Sequence, residues 1–589
     1  MTRLWNDPAS FADDMVEGFV RANGRWVRRV SGGVSRSTRS PEPEVAVVIG
    51  GGSGHYPAFG GLVGPGLAHG AAMGNLFASP SAHQVESVIR SSEQGRGVLL
   101  SFGNYAGDVL HFGAAQEALR QDGVDCRTVV VTDDIFSAPQ SQKARRRGIA
   151  GDLTVFKAAG AAAAAGSGID DVERAAVLAN ARTRSMGVAF TGCTLPGAEE
   201  PLFTVPEGKM AVGLGIHGEP GIDITDIPSA DGLAELFVDR LLDAAEVPEG
   251  ATIKGGRVVP ILNGLGSVKN EELYVVYARI ADLLTEAGLT LVDPRVGEFC
   301  TSFDMAGVSL TLLWLDEELE RLWLAPADTP AFAAGSVDSS ALEAVTMDGG
   351  YGGDGEWGEE AELPASSEES RKAAGVISQA LAVMRDAIDA QAAELGRIDA
   401  IAGDGDHGIG MQRGTVAAAE AAMALGGQGA GAESLLTRCG DAWSDRAGGT
   451  SGALWGLILK TVGSHLGDTS PATAATLAAG ISAAKTAVMD YGKAKVGDKT
   501  MVDALVPFAD TLAARVTAGE SLAEAWRKAA SAAATAAEAT ADLMPGMGRA
   551  RSHGAKSLGT PDPGAVSLAL IAERIHTVIA ASVTPIPSI

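Results

Sequence analysis

The chain has 589 residues, and its 73 Asp and Glu against 46 Lys and Arg give a net charge of −27 at pH 7. This length predicts two to four domains, and the negative charge disfavours nucleic acid or a membrane surface as a partner. The four cysteines lie far apart with no C-x-x-C pair, which argues against a disulfide framework and a cysteine zinc site and favours the reducing cytoplasm.

No targeting or membrane segment is expected. The N-terminal sequence MTRLWNDPAS has charges and a proline where a secretion signal needs an apolar stretch. The most apolar run, residues 308–315, is far shorter than the ~20 residues that span a bilayer. The sequence therefore predicts a soluble protein.

The first part of the chain alternates β-branched runs with segments rich in Ala and Leu. The runs end in glycine or aspartate, as in VAVVIGGG from residue 45 and GVLLSFGNYAGD from residue 97. This alternation is typical of parallel or mixed sheets in an α/β domain, where chemistry collects past the carboxyl ends of strands. We predict such a domain over residues 1–332, with two subdomains that divide near residue 190.

The second part has a different texture. Residues 333–366 contain no Lys or Arg but many acidic residues, Gly, Pro and Ser, which predicts an acidic flexible linker. Beyond it, stretches such as SLAEAWRKAASAAATAAEATADLM have high helix propensity and helical apolar spacing. We predict an all-α domain over residues 367–589, with the unusual residues in its interhelix loops.

The sequence IDAIAGDGDHG places Asp399, Asp404 and Asp406 in one glycine-rich, turn-forming stretch. Clustered carboxylates repel each other unless a hard dication lies among them, and Mg²⁺ takes oxygen ligands completed by phosphate or water. The motif therefore favours a magnesium–nucleotide site. The alternative is an ordinary solvated loop, since Asp-Gly turns are common.

A second motif suits phosphate. GGTSG at residues 448–452 opens a helical stretch, so its backbone N–H groups and the hydroxyls of Thr450 and Ser451 can hold an anion, although a simple N-capped turn has the same residues. Basic residues in DKTMVDALVPF from residue 498 and GRARSHGAK from residue 548 add cations. No G-x-x-x-x-G-K-[ST] is present, which excludes the P-loop class.

Three polar residues follow strand ends in the first part. GGGSGHYP carries His55, GNYAGD carries Asp108, and GLGIHGEPG carries His217. If these strands are neighbours, two imidazoles and a carboxylate converge on one pocket. A histidine nucleophile and a histidine general base suit addition to a carbonyl and deprotonation of a hydroxyl. Taken singly, each histidine has a structural explanation.

Together these motifs resemble the ATP-dependent dihydroxyacetone kinases. GGGSGHYPAFGGLVGPGLAHGAAMGNLFASP, GNYAGDVLHF and GIHGEPG are similar to the substrate half of that family, and GDGDHG, GGTSGALWG, GDKTMVDALVP and SLGTPDPGA to its nucleotide half. The resemblance implies transfer of the γ-phosphate of ATP to a primary hydroxyl of a short-chain ketose, with Mg²⁺ as the metal ion.

The resemblance also implies residue roles. His217 would bind the ketose carbonyl carbon as a hemiaminal, His55 would act as general base, and Asp108 would hydrogen-bond the substrate. The sugar-binding loop would comprise Gly52, Ser53, Gly54 and His55, and the magnesium ligands Asp399, Asp404 and Asp406. The nucleotide contacts would be Asp404, Gly405, Asp406, His407, Thr450, Ser451, Gly492, Thr500, Met501, Asp562, Pro563 and Gly564.

Departures from the family bear on the substrate. Tyr56 stands where the family usually has Glu, and Gly103 where it often has Lys. These changes alter volume and polarity beside the sugar, and TDDIFSAP from Thr132 is similar to kinases of the four-carbon ketose erythrulose. Erythrulose and dihydroxyacetone both stay open, as do the enantiomer and the hydroxyl that is phosphorylated.

Two other functions stay open as alternatives: a ketose-binding regulatory protein without turnover, and a lyase that releases a cyclic phosphate from a flavin dinucleotide. The lyase, which some members of the family support, would need the aspartate triad but not His217. A flexible linker of about 35 residues reaches on the order of 30–35 Å. We therefore expect a homodimer whose active sites form within one chain or between two.

Overall fold

The computed structural model describes residues 4–198, 200–219, 221–345, 363–402, 405–547 and 554–583. The chain divides into two compact units, Met1–Trp357 and Gly358–Ile589. The first unit contains two large mixed sheets with helices, and the described part of the second is helical. The predicted fold class is confirmed.

The first sheet has six strands in the order β1-β2-β5-β4-β6-β7, of which β5, β4, β6 and β7 are parallel. Every residue of β4 and β6 is buried, which explains their continuous apolar runs. The strands are β1 Val27–Val30, β2 Gly33–Arg36, β4 Ala46–Ser53, β5 Gly70–Leu76, β6 Val98–Gly103 and β7 Cys126–Val131, with a short β3 at Thr38–Arg39 outside this sheet.

Helices cover both faces of this sheet. Val85 and Phe112 pack on the face formed by Val48 and Leu100. The opposite face belongs to a larger core that also holds Phe156 and residues of the second sheet. The helices are α1 Phe11–Asn23, α2 Ala82–Ser92, α3 Ala106–Gln121, α4 Asp152–Ala164 and α5 Ile169–Ala181.

The second sheet has seven strands in the order β10-β9-β8-β14-β11-β12, with β13 also paired to β11. The chain enters this sheet at Thr183, before the predicted subdomain break near residue 190. Its strands are β8 Thr183–Ala189, β9 Lys209–Val212, β10 Asp223–Asp226, β11 Arg257–Gly264, β12 Thr290–Leu291, β13 Arg295–Gly297 and β14 Gly307–Trp314, and its helices are α6 Ala230–Leu241, α7 Asn270–Glu286 and α8 Glu317–Leu324.

Part of the predicted linker is ordered on the first unit. Strand β16 (Ala333–Ala334) pairs with β15 (Ala327–Asp328), and β17 (Glu343–Ala344) pairs with β3. Backbone pairing holds these residues although they carry little apolar side-chain surface. Residues 346–362 of the predicted linker lie outside the described part of the chain.

The described part of the second unit consists mainly of eight helices that pack around a common apolar core. They surround a cavity of about 500 Å³ lined by apolar side chains such as Trp455, Phe508 and Ile571. The helices are α9 Glu368–Ala402, α10 His407–Gly426, α11 Ala432–Ala447, α12 Gly449–Leu466, α13 Ala474–Gly492, α14 Val502–Thr517, α15 Leu522–Ala539 and α16 Pro563–Val583.

Only α16, over Pro563–Ser582, is long and apolar enough within the described ranges to cross a membrane by length and composition. Its side chains Leu568, Ile571 and Ala572 are buried in the helical core. The core of this unit explains its apolar character.

A buried ion pair joins β2 to the start of β4. Arg36 Nη1 lies 3.2 Å from Glu44 Oε2, which also accepts a hydrogen bond from His69 Nε2 at 2.7 Å. The Val47 N–H donates to His69 Nδ1 at 3.1 Å, so the neutral ring carries its proton on Nε2. Burial raises the pKa of Glu44, but the hydrogen bond from His69 and the charge of Arg36 outweigh it and bring this pKa to about 2.

We predict that Glu44→Gln lowers the free energy of unfolding of the first unit by about 3 kcal/mol, because Arg36 keeps a buried charge without its partner. The lowered pKa means that the contribution is present above pH 4.5 and lost as the pH falls through about 2. Denaturant unfolding at neutral pH measures the loss. The control Glu17→Gln breaks an exposed pair with Arg21 and should cost little. An equal loss in both variants would contradict the prediction.

Candidate active site

The first glycine-rich loop carries His55 past the end of β4 and packs against Phe77. Gly54 has a φ of +103°, and a Cβ there would lie 2.8 Å from the Phe77 ring, so this position requires glycine. The His55 ring stacks on Phe77 at a centroid distance of 4.9 Å. His55 Nδ1 lies 2.8 Å from the Thr301 carbonyl oxygen. Because a carbonyl only accepts, Nδ1 carries the proton and Nε2 keeps a lone pair.

The rest of the predicted sugar-binding loop is held by close packing. The Ser53 hydroxyl donates to the Gly74 carbonyl at 2.6 Å, so it holds the loop in place. A Cβ at Gly52 would lie 2.8 Å from the Ala78 nitrogen, which leaves no room for a side chain. These contacts fix the backbone that presents His55.

His217 reaches the same place from the second sheet, in the loop between β9 and β10. The prediction assumed a strand next to β4 and β6, and the structure differs because β9 belongs to the other sheet. The His217 and His55 Nε2 atoms are 3.0 Å apart, with perpendicular rings. The structure therefore brings the two histidines together where the two sheets meet.

Glu219 determines which nitrogen of His217 carries the proton. Its Oε1 lies 3.2 Å from His217 Nδ1, and its Oε2 accepts from the His217 backbone N–H at 3.1 Å. A carboxylate that accepts from Nδ1–H leaves the lone pair on Nε2, on the side of His55. The sequence analysis missed Glu219, although it stands two residues after His217 in GIHGEPG.

Asp108 and Tyr105 come from the start of α3, directly after β6. The Tyr105 ring packs edge-on against His217 at 4.6 Å, and its hydroxyl donates to the Gly148 carbonyl at 3.0 Å. Burial, together with the charge of Glu219, raises the pKa of Tyr105 well above its usual value, so the hydroxyl stays protonated. Asp108 follows Tyr105 by three residues on the same helix face and is buried.

This arrangement can add a nucleophile to a carbonyl and remove a proton beside it. One proton shared between the two Nε2 atoms makes their 3.0 Å contact favourable. If a carbonyl carbon takes the place of that proton, the lone pair of His217 Nε2 can attack it. The Nε2 of His55 can then accept a hydroxyl proton.

The second candidate site lies in the helical unit. Asp399 is inside α9, where the sequence predicted a loop, because the helical Ala-rich run continues as far as Ala402. Its Oδ2 accepts from the backbone N–H of His407, the first residue of α10, at 3.0 Å. Asp406 immediately precedes that helix, and Asp404 lies outside the described residues.

His407 joins the starts of three helices. Its Nε2 lies 3.0 Å from the Ser567 hydroxyl in α16, and its Nδ1 lies 3.4 Å from the Ser451 hydroxyl in the first turn of α12. Burial lowers the pKa of His407, so the ring is neutral at pH 7. Ser567, which the sequence analysis missed, follows Pro563 by one helical turn.

The remaining predicted nucleotide residues lie at other helix ends. Thr500 and Met501 directly precede α14, where Asp503 accepts from the Thr500 N–H at 2.8 Å. A Cβ at Gly564 would lie 3.3 Å from the Met501 Cβ, so the starts of α14 and α16 are in contact. Gly492 ends α13 and lies near Leu454 in α12. Thr450 is the second residue of α12. Asp562 directly precedes Pro563, the first residue of α16. Gly405 lies just before Asp406.

The carboxylates of this site repel each other. Burial and the charge of Asp399 raise the pKa of Asp406 to about 7. Burial raises the pKa of Asp562 to about 7, and Asp399 and Asp503 add to this effect. Among the residues that the structure describes, no group of three or more His, Cys, Asp or Glu is arranged to hold a metal ion. The buried carboxylates nevertheless fit Mg²⁺, since a hard dication relieves their repulsion.

The helix N-termini around these carboxylates suit phosphate, because their free N–H groups and dipoles favour anions. The first unit suits a carbonyl compound. The fold and the two candidate sites are those expected of a two-domain enzyme, with one domain for a small carbonyl substrate and one for a nucleotide.

Comparisons with known proteins agree with this class. The Dak1 domain model matches residues 17–331, and the DAK2 domain model matches residues 401–577. The chain is 57% identical to the L-erythrulose kinase of Pectobacterium atrosepticum over 99% of this chain and 98% of that protein. It is 52% identical to the D-erythrulose kinase of Mycolicibacterium smegmatis over 98% of each. The solved dihydroxyacetone kinase of C. freundii, in complex with AMP-PNP and Mg²⁺, is 28% identical with a TM-score of 0.51 over 98% of this chain and 99% of that one.

The chain belongs to the dihydroxyacetone kinase family, with a Dak1 and a DAK2 domain. It is a kinase that acts on an alcohol group.

We predict that the metal-free protein loses stability as the pH rises through about 7. The pKa values of Asp406 and Asp562, about 7 when folded against an ordinary 3.8, mean that the folded chain holds protons that the unfolded chain releases. Their contribution is full below pH 3.8 and is lost as the pH rises through 7. Mg²⁺ with a non-hydrolysable ATP analogue should restore stability at high pH, since it favours the ionised carboxylates.

Thermal melting from pH 4 to pH 8.5, with and without Mg²⁺ and the analogue, measures this effect. Asp406→Asn should be as stable as the parent or more stable without metal at high pH, flatten the pH dependence and lose the response to Mg²⁺. Asp510→Asn, at an exposed pair with Lys485, is the control. An unchanged pH dependence in Asp406→Asn would contradict the assignment.

Proposed function

We propose that the protein transfers the γ-phosphate of ATP to a primary hydroxyl of a short-chain ketose, erythrulose or dihydroxyacetone, that is held covalently by His217. The observation that carries this proposal is the 3.0 Å contact between the Nε2 atoms of His217 and His55, each with its Nδ1 engaged elsewhere. Both rings thus present their lone pairs to one point.

Covalent capture begins when the lone pair of His217 Nε2 forms a bond to the carbonyl carbon. The π electrons of the C=O bond move to the oxygen, which takes up the proton shared by the two histidines. The product is a hemiaminal with a positively charged ring. Its Nδ1–H faces the Glu219 carboxylate, which stabilises that charge in the buried site.

His55 then serves the hydroxyl that is phosphorylated. The Thr301 carbonyl keeps the proton of His55 on Nδ1, so Nε2 can accept the hydroxyl proton. Asp108 orients the ketose by accepting hydrogen bonds from its hydroxyls. The covalent bond selects ketones over polyols such as glycerol, because only a carbonyl can form it.

In the helical unit, Asp399 and Asp406 would hold Mg²⁺, with Asp404 as the third ligand. The ion supplies neutralisation of the phosphate charge during transfer. Thr450 and Ser451, at the start of α12, offer hydroxyl and backbone donors to the phosphates, and His407 keeps Ser451 in place. The starts of α14 and α16 complete the nucleotide site.

Two observations favour a four-carbon ketose. The relatives that share more than half of their residues with this chain are named as erythrulose kinases. A Cβ at Gly103 would lie 3.1 Å from Tyr105 Cε2, so the absence of a side chain lets the tyrosine pack against His217. Gly103 stands where the family often has lysine, so the end of β6 carries no charged side chain beside Tyr105. We further propose a cytoplasmic homodimer.

Kinetics of His217→Ala test the covalent role. We predict a fall in kcat/KM for the ketose of about 100-fold or more, with unchanged ATP binding, because the nucleophile is lost but the helical unit is intact. Initial rates with dihydroxyacetone, D-erythrulose, L-erythrulose and glycerol define the preference, with an erythrulose expected first and glycerol last.

His83→Ala, at a half-buried position on α2, is the matched control and should keep full activity. An unchanged ketose KM in His217→Ala would contradict the covalent role. Absence of ketose-dependent ADP release in the parent protein would favour the regulatory alternative. Cleavage of a flavin dinucleotide that survives in His217→Ala would support the lyase.

A further inference from the structure

A mostly buried arginine contacts Glu219, the partner of His217. Arg147 Nη1 is 3.5 Å from Glu219 Oε2, and its Nε and Nη2 donate to Asp134 Oδ2 at 3.1 and 2.9 Å. Glu219 and Asp134 are buried, at 6% and 3% exposure, and Arg147 is mostly buried, at 13%. Oppositely charged groups therefore follow one another in a chain of contacts, from Asp134 through Arg147 and Glu219 to His217.

We propose that Arg147 is a positioning residue for ketose phosphorylation: anchored by Asp134, it holds Glu219 as an ionised acceptor, so that His217 keeps its proton on Nδ1 and offers Nε2 to the ketose. The proposal rests on the covalent role of His217 in the proposed function. It adds Arg147, Asp134 and Glu219 to the residues on which catalysis depends.

The backbone next to Glu219 and Arg147 leaves room for their charged groups. A Cβ at Gly215 would lie 2.1 Å from Glu219 Oε2 and 2.4 Å from Arg147 Nη1, so the two charged groups occupy the space of a missing side chain. The Asp134 backbone N–H donates to the Arg147 carbonyl at 3.1 Å, and the Arg147 N–H donates to the Ser137 hydroxyl at 2.9 Å. The segment around Asp134 and the Arg147 side chain therefore hold each other in place.

Asp134 and Ser137 belong to TDDIFSAP, the motif that the sequence analysis connected with the identity of the ketose. In the structure this motif holds Arg147 in place. Asp134 accepts hydrogen bonds from the Arg147 side chain, and the Ser137 hydroxyl accepts one from the Arg147 backbone N–H. The influence of the motif on the active site passes through Arg147 to His217.

Electrostatics explain why Glu219 needs this partner. Burial lowers the pKa of Arg147, but the charges of Asp134 and Glu219 more than compensate, so the guanidinium stays protonated. Other titratable groups near these charges come from the segment after β7 (Asp133), from α3 (Tyr105 and Asp108), from the loop after β4 (His55), from α4 (Asp152) and from the segment at Cys300. Burial keeps Tyr105, Asp152 and Cys300 in their neutral forms.

Without Arg147, the buried Glu219 carboxylate would take up a proton at higher pH, because its charge is no longer compensated. A protonated Glu219 donates to Nδ1, and the ring then carries its proton on Nε2. That tautomer has no lone pair for the carbonyl carbon. Loss of Arg147 should therefore reduce ketose capture most strongly on the acidic side of the pH profile.

The test compares Arg147→Gln with the adjacent Arg146→Gln. Arg146 is even less exposed than Arg147, and its two-point ion pair, at 2.7 and 2.8 Å, is with Glu246 and not with Glu219, so its loss removes a buried charge pair without the predicted chemistry. Readouts are kcat/KM for the ketose across pH, ATP binding, and ¹⁵N spectra of histidine-labelled protein, which report the tautomer of His217.

We expect Arg147→Gln to lower kcat/KM for the ketose by about 10–100-fold, as for other residues that orient a reactive histidine. The acidic limb of the pH profile should move to higher pH, and ATP binding should not change. Arg147→Lys should recover part of the loss. If Arg147→Gln does not fold, Gly215→Ala serves as a second variant. It keeps every charge but separates Glu219 from Arg147, so the acidic limb should again move to higher pH.

The outcomes separate the two proposals. Suppose that kcat/KM falls equally in Arg147→Gln and Arg146→Gln, the acidic limb does not move and the His217 tautomer is unchanged. This result would overturn the positioning role of Arg147 but not the proposed function. An unchanged ketose KM in His217→Ala would overturn the proposed function, on which this role rests.

Discussion

The contact between His55 and His217 is the constraint on which the first unit depends, because its two rings come from different sheets. His55 follows the end of a parallel strand in the first sheet, and His217 lies in a loop of the second. A 3.0 Å contact between their Nε2 atoms requires both sheets to keep a fixed distance, and the shared hydrophobic core that includes Phe156 of α4 maintains it. Each ring then needs an acceptor behind it, which the Thr301 carbonyl and Glu219 provide.

The second unit depends on the opposite kind of interaction, since its candidate site gathers like charges. Burial and the charge of Asp399 raise the pKa values of Asp406 and Asp562, and the described residues around them are mainly helix starts. A site that is strained without cation and anion is suited to bind them together, because Mg²⁺ satisfies the carboxylates while the phosphates satisfy the N–H groups. In the proposed function the two units therefore prepare their substrates differently: the first fixes the tautomers of two histidines, and the second gathers carboxylates whose repulsion a metal–nucleotide complex would relieve.

The sequence predicts the parts of this picture that are local. His55, Asp108 and His217 each stand in a glycine-flanked segment after a strand, and the glycines are visible in the sequence. It does not predict that His217 comes from the second sheet, because strand order depends on contacts between distant residues. Arg147 is missed for the same reason: it lies 72 residues before Glu219 and carries no motif that connects them. Asp399 was placed in a loop because its neighbours Gly403 and Gly405 suggest a turn, whereas the preceding Ala-rich run extends the helix past it.

In the proposed function, the ketose is bound through a carbon–nitrogen bond to His217. ¹³C NMR of a ketose labelled at its carbonyl carbon, bound to the protein without ATP, tests it most directly. We expect the carbon resonance to move from the ketone range to the range of a tetrahedral carbon bonded to nitrogen and oxygen. With His217→Ala, the same spectrum should keep only the signals of free ketose and its hydrate. A bound ketose whose carbonyl carbon stays in the ketone range would contradict the account.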